Sequence, residues 1–182
     1  MSKVKFNLVG NTFTHLTNGN KGYSVHGKES KHIEWVGEDG EGTFYIDNTA
    51  KKGIIEKKDG PKYLWLLESR FIKPGMVESI IENREEIENA YEYIFTHDQR
   101  LLSLGDKYKW CPAQGFWIKD PKVYEKSKMI SMIASNKNMC EGHRLRLEWV
   151  DRIGDQLDLY GRGFKEIADK EEGLCDYMFS VA

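Results

Sequence analysis

Polar side chains follow several short apolar runs of this sequence, at the positions where an α/β protein usually places its chemistry. In open parallel sheets, ligands bind beyond the carboxyl ends of the strands, where loops lead into helix N-termini. The polar positions that directly follow an apolar run are Glu68, His97-Asp98, Ser135-Asn136 and Arg162. Core packing does not require polar side chains at these positions, so the pattern indicates a binding or catalytic edge.

Glu68 is the clearest candidate for acid–base chemistry. It comes directly after the apolar run Tyr63–Leu67, and a carboxylate held there can accept a proton from a reacting hydroxyl group. Two alternatives remain open from the sequence: Glu68 caps a helix, or it takes part in a surface ion pair.

A second informative stretch is SNKNMCEGHRLRLEWVDRI, which places a flexible loop with Gly142 at the start of a helix. Free backbone N–H groups and the positive dipole end favour an anion there. Arg144 and Arg146 add guanidinium groups that match phosphate oxygens. Two residues apart, they point in different directions, so one of them at most faces a ligand squarely. The alternative is a solvated basic helix face.

The elements that must position these residues follow a strand–helix–strand order. The runs predicted as strands are Lys3–Gly10, His32–Val36, Thr43–Asp47, Tyr63–Leu67, Tyr93–Thr96, Met129–Ala134, Leu157–Tyr160 and Tyr177–Ala182. The segments predicted as helices are Met76–Ala90, Asp98–Leu104 and His143–Ile153. This order predicts an α/β protein with parallel sheets, built as two Rossmann-like units in series.

Composition limits the classes of protein to consider. The chain has 182 residues, with 27 Lys and Arg against 29 Asp and Glu, so bulk charge does not favour a nucleic-acid or membrane-surface partner. The 3 cysteines are widely spaced, which favours a reducing compartment over a disulfide framework. No apolar run approaches the length of about 20 residues that spans a bilayer. We expect a cytoplasmic protein.

Five motifs resemble a known family. In order, they are YLWLLESR, SMIASNKN, GHRLRLEWVDRI, LDLYGRGF and DYMFSVA. They are similar to successive motifs of the family 10 fucosyltransferases and related glycosyltransferases, in which a strand ends in Glu-Ser-Pro and an arginine follows later with the spacing Arg-x-x-aromatic-x-x-x-aliphatic. Arg146, Trp149 and Ile153 fit that spacing, and Arg144 fits it less well.

The resemblance implies a GT-B architecture and inverting transfer of fucose, or a related sugar, from a GDP-sugar donor to a hydroxyl group of a glycan acceptor. It implies no metal and no other cofactor. Glu68 matches the family's catalytic base, and Arg146 matches the contact to the donor diphosphate. Ser135 and Asn136 match the loop beside the donor, with Arg144 as a further donor-side residue. The other function class left open is a non-catalytic carbohydrate- or nucleotide-binding module.

The chain departs from the family pattern in two places. Arg70 stands where the family has proline, and the sequence ends at Ala182, before the later donor-side motifs. We therefore expect a fragment that is inactive alone, with an acceptor-side domain over 1–125, a linker near 119–128 and the start of a donor domain over 126–182. The exposed strand edge 177–182 predicts self-association into a homo-oligomer.

Other candidates carry less weight. His97, Asn11 and His15 are acceptor-side candidates, although His97 beside a helix-capping Asp98 is also explained as a structural residue. Cys140 and His143 have a ligand-like spacing, but no second pair accompanies them for a zinc site, and nothing supports a Cys–His nucleophile. The tryptophans that could stack on a sugar, or simply lie in the core, are Trp65, Trp110 and Trp117.

Overall fold

The computed structural model describes residues 2–10, 31–112, 118 and 122–181. The chain divides into two compact units, Met1–Gly115 and Phe116–Ala182. The first unit contains the strands β1 (Val4–Val9), β2 (Ile33–Val36), β3 (Gly42–Ile46), β4 (Lys62–Trp65), β5 (Tyr93–Thr96) and β6 (Tyr108–Trp110). Its helices are α1 (Ala50–Ile55), α2 (Met76–Glu82), α3 (Arg84–Ala90) and α4 (Gln99–Leu102).

The six strands of the first unit form one sheet in the order β2-β1-β3-β4-β5-β6. Every neighbouring pair is parallel. The chain moves from β1 to one side to form β2, and then to the other side of β1 to form β3. Such a reversal opens a crevice at the carboxyl ends of the two strands that flank it, here β1 and β3.

Side chains alternate between the two faces of this sheet, as a period of two residues requires. One face packs on the helices, and its core residues in register across four strands are Tyr45, Leu64, Ile94 and Tyr108. The opposite face carries aromatic rings in mutual contact, namely Phe6, Trp35, Phe44, Tyr63, Trp65 and Phe95. Apolar residues on both faces explain why β4 reads as a continuous apolar run rather than as an alternating one.

One prediction for the first unit is wrong: the helix expected over Met76–Ala90 is two helices. The break is at Asn83, where φ is −107° and ψ is 31°. The Asn83 amide donates to the backbone oxygen of Ser79 at 2.7 Å, and asparagine side chains compete in this way with helical backbone bonds. The apolar period continues through the break, with Ile80 and Ile87 both in the core.

The second unit contains the strands β7 (Lys128–Ile133), β8 (Asp158–Tyr160) and β9 (Tyr177–Val181) and the helix α5 (Glu141–Ile153). Its strands form a parallel sheet in the order β8-β7-β9. Tyr177 donates to the Asp158 carboxylate at 2.5 Å and shares a 2.6 Å hydrogen bond with Tyr160. These bonds connect the two outer strands across β7.

The α/β class with parallel sheets is therefore confirmed for both units, and the pattern is consistent with the Rossmann-like description. The domain limits predicted at 125 and 126, and the self-association through β9, stay predictions. No helix within the described part of the chain is both long enough and apolar enough to cross a bilayer.

Candidate functional site

The crevice between β1 and β3 is closed by short contacts between the two strand ends. A Cβ atom on Gly10 would lie 2.9 Å from the Ile46 Cβ, closer than two such atoms approach, so only glycine fits. The Thr49 hydroxyl donates to the backbone oxygens of Val9 at 3.1 Å and Ile46 at 2.8 Å. The carboxyl ends of β1 and β3 are thus fixed relative to each other.

Glu68 lies three residues beyond β4, at this same edge of the sheet, and is half-buried. Its backbone N–H donates to the Asp47 carboxylate at 3.2 Å. Within the described residues, its own carboxylate makes neither a hydrogen bond nor an ion pair. The arrangement holds the backbone of Glu68 while leaving its side chain available to accept a proton, which is what a general base requires. In the described part of the chain, Glu68 neither caps a helix nor forms an ion pair, the two alternatives left by the sequence.

Arg70 links the segment after β4 to the end of β5. Its guanidinium donates to the Asp98 carboxylate at 2.9 Å. Because β4 and β5 are neighbours in the sheet, this ion pair links the loop carrying Glu68 to the residue after His97. Glu68 and His97 are therefore brought to the same edge.

Asp98 is the centre of a small charged network. Its other oxygen accepts the backbone N–H of Arg100 at 2.9 Å, which makes Asp98 the N-cap of α4. Arg100 in turn donates to Glu78 at 2.9 Å. Partial burial acts to raise the pKa of Asp98, but the Arg100 N–H and the two guanidinium groups outweigh it and hold that pKa below its ordinary value.

His97 is half-buried, and its Nδ1 is buried without a hydrogen-bond partner among the described residues. The capping role of Asp98 matches the structural explanation given for this pair. Asn11, His15 and Trp117 lie outside the described residues. Trp65 belongs to the aromatic face of the sheet, and Trp110 is exposed.

In the second unit, Ser135 and Asn136 follow β7, and Asn136 contacts the glycine-rich turn that follows β8. The Asn136 N–H donates to the backbone oxygen of Arg162 at 3.0 Å. Gly161 has φ +111°, and a Cβ atom there would lie 1.9 Å from the Ala134 oxygen. The two strand ends therefore approach so closely that this position must be glycine.

Arg144 and Arg146 both lie in α5, where Arg146 is half-buried and Arg144 is exposed. Their different burial agrees with the expectation that the two side chains point in different directions. Burial lowers the pKa of Lys170, and the nearby Arg146 cation lowers it further. The two positive charges are therefore near enough to interact.

The described residues contain no cluster of three or more His, Cys, Asp or Glu side chains suited to a metal ion. Cys140 and His143 are therefore not part of such a cluster among those residues. A cavity of about 450 Å³ opens in the first unit between α1 and the α2–α3 pair. Apolar and polar residues contribute to its wall in equal number, and Asp47 and Lys73 are among the charged residues that line it.

The sequence analysis missed Asp47, which it placed inside a predicted strand. Asp47 directly follows β3, so the strand-end rule that found Glu68 would have found it had the strand been ended one residue earlier. Lys73, whose Nζ lies 3.6 Å from the Asp47 carboxylate, carries no comparable pattern in the sequence. No family model, no curated protein and no solved structure matches this chain.

Proposed function

We propose that the protein is an inverting glycosyltransferase that moves fucose, or a related sugar, from a GDP-sugar to a hydroxyl group of a glycan. The observation that carries the proposal is the Glu68 carboxylate, unpaired within the described residues, at the carboxyl edge of a parallel sheet. The resemblance of the YLWLLESR, GHRLRLEWVDRI and LDLYGRGF motifs to the family 10 fucosyltransferases supports it.

The reaction proposed is a single displacement at the anomeric carbon. The acceptor oxygen forms a bond to that carbon as the bond to the diphosphate oxygen breaks, which inverts the configuration. The hydroxyl proton passes to Glu68, and the nucleoside diphosphate leaves with the bonding electron pair. A base is needed because a neutral hydroxyl is a poor nucleophile until it loses its proton.

We assign binding of the GDP-sugar donor to the second unit. Arg146 contacts the diphosphate, whose negative charge grows as the bond to the sugar breaks, and fixed cations stabilise such developing charge. Its proximity to Lys170 supports this assignment. Ser135 and Asn136 line the donor loop, and Arg144, being exposed, contributes less.

The base is tested with Glu68→Gln, which keeps the size of the side chain and removes its basicity. Transfer from GDP-fucose to a panel of oligosaccharides is expected to fall about 100- to 10,000-fold in kcat, while the affinity for GDP stays unchanged. Glu34→Gln is the matched control, since Glu34 is also half-buried but lies in β2. Near-normal turnover of Glu68→Gln would show that Glu68 is not the general base.

The donor site is tested by calorimetric titration with GDP. Arg146→Met is expected to weaken GDP binding about 10-fold or more, because it removes a charge-assisted contact. Arg152→Met, at the other end of the same helix, is expected to bind GDP as the wild type does. Tight binding of GDP-fucose with no transfer to any acceptor would instead favour the non-catalytic binding module.

A further inference from the structure

A buried carboxylate accepts the backbone N–H of the residue assigned as the base and that of the residue before it. The Asp47 side chain is 0% exposed. Its Oδ1 accepts the backbone N–H of Leu67 at 2.8 Å and that of Glu68 at 3.2 Å. Two N–H groups on one charged oxygen make short, directional bonds, so the peptide that leads into Glu68 has a fixed orientation.

The second oxygen of Asp47 reaches the far end of the same loop. Oδ2 lies 3.6 Å from the Lys73 ammonium group and has no hydrogen bond among the described residues. The Ser69 backbone oxygen accepts the N–H groups of Ile72 and Lys73, each at 2.9 Å, which closes the loop into a turn. One carboxylate therefore contacts both ends of the turn that begins at Leu67 and ends at Lys73.

The backbone of Asp47 is itself unusual. Its φ is +46°, in the left-handed region that residues other than glycine rarely adopt. Such a conformation persists where surrounding contacts enforce it, and it concentrates at functional sites. Here the left-handed conformation directs the Asp47 side chain from the end of β3 towards the loop that follows β4. The strands β3 and β4 are neighbours in the sheet.

We propose that Asp47 is a positioning residue that sets the orientation of the Glu68 carboxylate, with Lys73 as its counter-ion. The inference rests on the proposed function for the role of Glu68, but the contact itself does not. Asp47 touches no reacting group. It acts through the backbone, because a general base misplaced by about 1 Å can lose about 100-fold in rate.

A carboxylate suits this position better than an amide. Asparagine keeps one oxygen for the Leu67 and Glu68 N–H groups, but it removes the negative charge and turns an NH₂ group towards Lys73. Asp47→Asn therefore separates the two contacts of Asp47: the backbone bonds survive in weaker form and the ion pair is lost. Lys73→Met removes only the ion pair.

The first measurement needs no substrate. By NMR, Asp47→Ala is expected to speed hydrogen exchange of the Leu67 and Glu68 amides about 10-fold or more beyond any global change, and to average the Glu68 χ1 couplings. Asp47→Asn is expected to show a smaller effect of the same kind, and it remains available if the alanine variant does not fold. Thr43→Val is the control, since Thr43 is buried in β3, the strand that Asp47 follows, but contacts Asn7 rather than the loop.

The second measurement is kinetic. Asp47→Ala is expected to lower kcat about 100-fold with little change in KM for the donor, and Asp47→Asn is expected to recover part of that loss. If the wild type neither binds GDP nor transfers sugar, the proposed function fails, while the NMR result still decides the positioning role. Unchanged Glu68 couplings and amide exchange in the Asp47 variants, or a kcat loss no larger than that of Thr43→Val, would overturn the proposal.

Discussion

The two units of this protein bury their sheets to very different extents. In the first, side chains from four strands and three helices meet in one core, which includes Leu64, Ile80 and Ile87. In the second, α5 has no buried residue, although it is the longest helix described. The edge strand β9 leaves Phe179 62% exposed. The packed core gives the first unit the rigidity to hold a catalytic group. The second unit instead relies on close contacts between backbone segments to hold its strand ends in place.

The two units also differ in their charged groups. At the edge of the first sheet, two carboxylates are committed: Asp47 to backbone N–H groups and Asp98 to Arg70. Glu68 lies between them in sequence, and its carboxylate is unpaired within the described residues. In the second unit, the Arg146 cation is near enough to Lys170 to lower its pKa. The proposed function, with a base in the first unit and an anion site in the second, would use this difference.

The largest expected effect tests the difference in packing. Leu64→Ala, in the core of the first unit, is expected to lower the free energy of unfolding by about 3 kcal/mol, because it removes a fully buried side chain and leaves a cavity. Leu145→Ala in α5 is expected to change it by less than about 0.5 kcal/mol, because Leu145 is exposed. Residue-resolved hydrogen exchange measures each unit separately. Equal losses would show that α5 packs as a core helix does.

A somewhat smaller effect tests the backbone contacts of the second unit. Gly161→Ala is expected to destabilise the β7–β8 pair by about 2–3 kcal/mol, because the added methyl group clashes with the Ala134 oxygen at a positive φ. Gly142→Ala is the matched control: nothing lies within 4 Å of its Cβ position. Helix propensity there favours alanine by about 0.5 kcal/mol. Protection of the β4 amides in the first unit should change in neither variant.

The smallest expected effect concerns acid. Because the folded-state pKa of Asp98 lies below its ordinary value, its contribution to stability is complete above about pH 4 and is lost as the pH falls through the folded pKa. Asp98→Asn is expected to lose about 1 kcal/mol at pH 7 and to show a shallower decline in stability as the pH falls below about 4. Asp106→Asn, at an exposed site, should follow the wild-type curve. Parallel curves of stability against pH for Asp98→Asn and the wild type would show that Asp98 does not contribute to the loss of stability in acid.

The sequence predicts eight of the nine strands found in the described residues, because each of those is a short apolar run with polar or glycine neighbours. It does not predict β6 (Tyr108–Trp110), which is three residues long with a charged residue at its centre. Tyr93–Thr96 is predicted with its observed limits. The same local rule locates Glu68, since an acid directly after an apolar run is easily recognised. It fails for α1, whose six residues include Gly53 and show no clear helical period.

Long-range contacts could not be predicted in this way. The bond from Asp47 to the Leu67 N–H spans 20 residues of sequence, and the ion pair between Arg70 and Asp98 spans 28. Both depend on the order of strands in the sheet, which local patterns do not give. The break at Asn83 could not be predicted for a local reason. The apolar period continues through the break, and one hydrogen bond from the Asn83 side chain to the Ser79 backbone accompanies the change in backbone conformation.

The ion pair between Arg70 and Asp98 has one more consequence. The loop that follows β4 is held here by an electrostatic contact whose guanidinium is partly open to solvent, and counter-ions weaken such contacts. The mobility of this loop should therefore rise with ionic strength, so the composition of the surrounding buffer becomes a means of adjusting it.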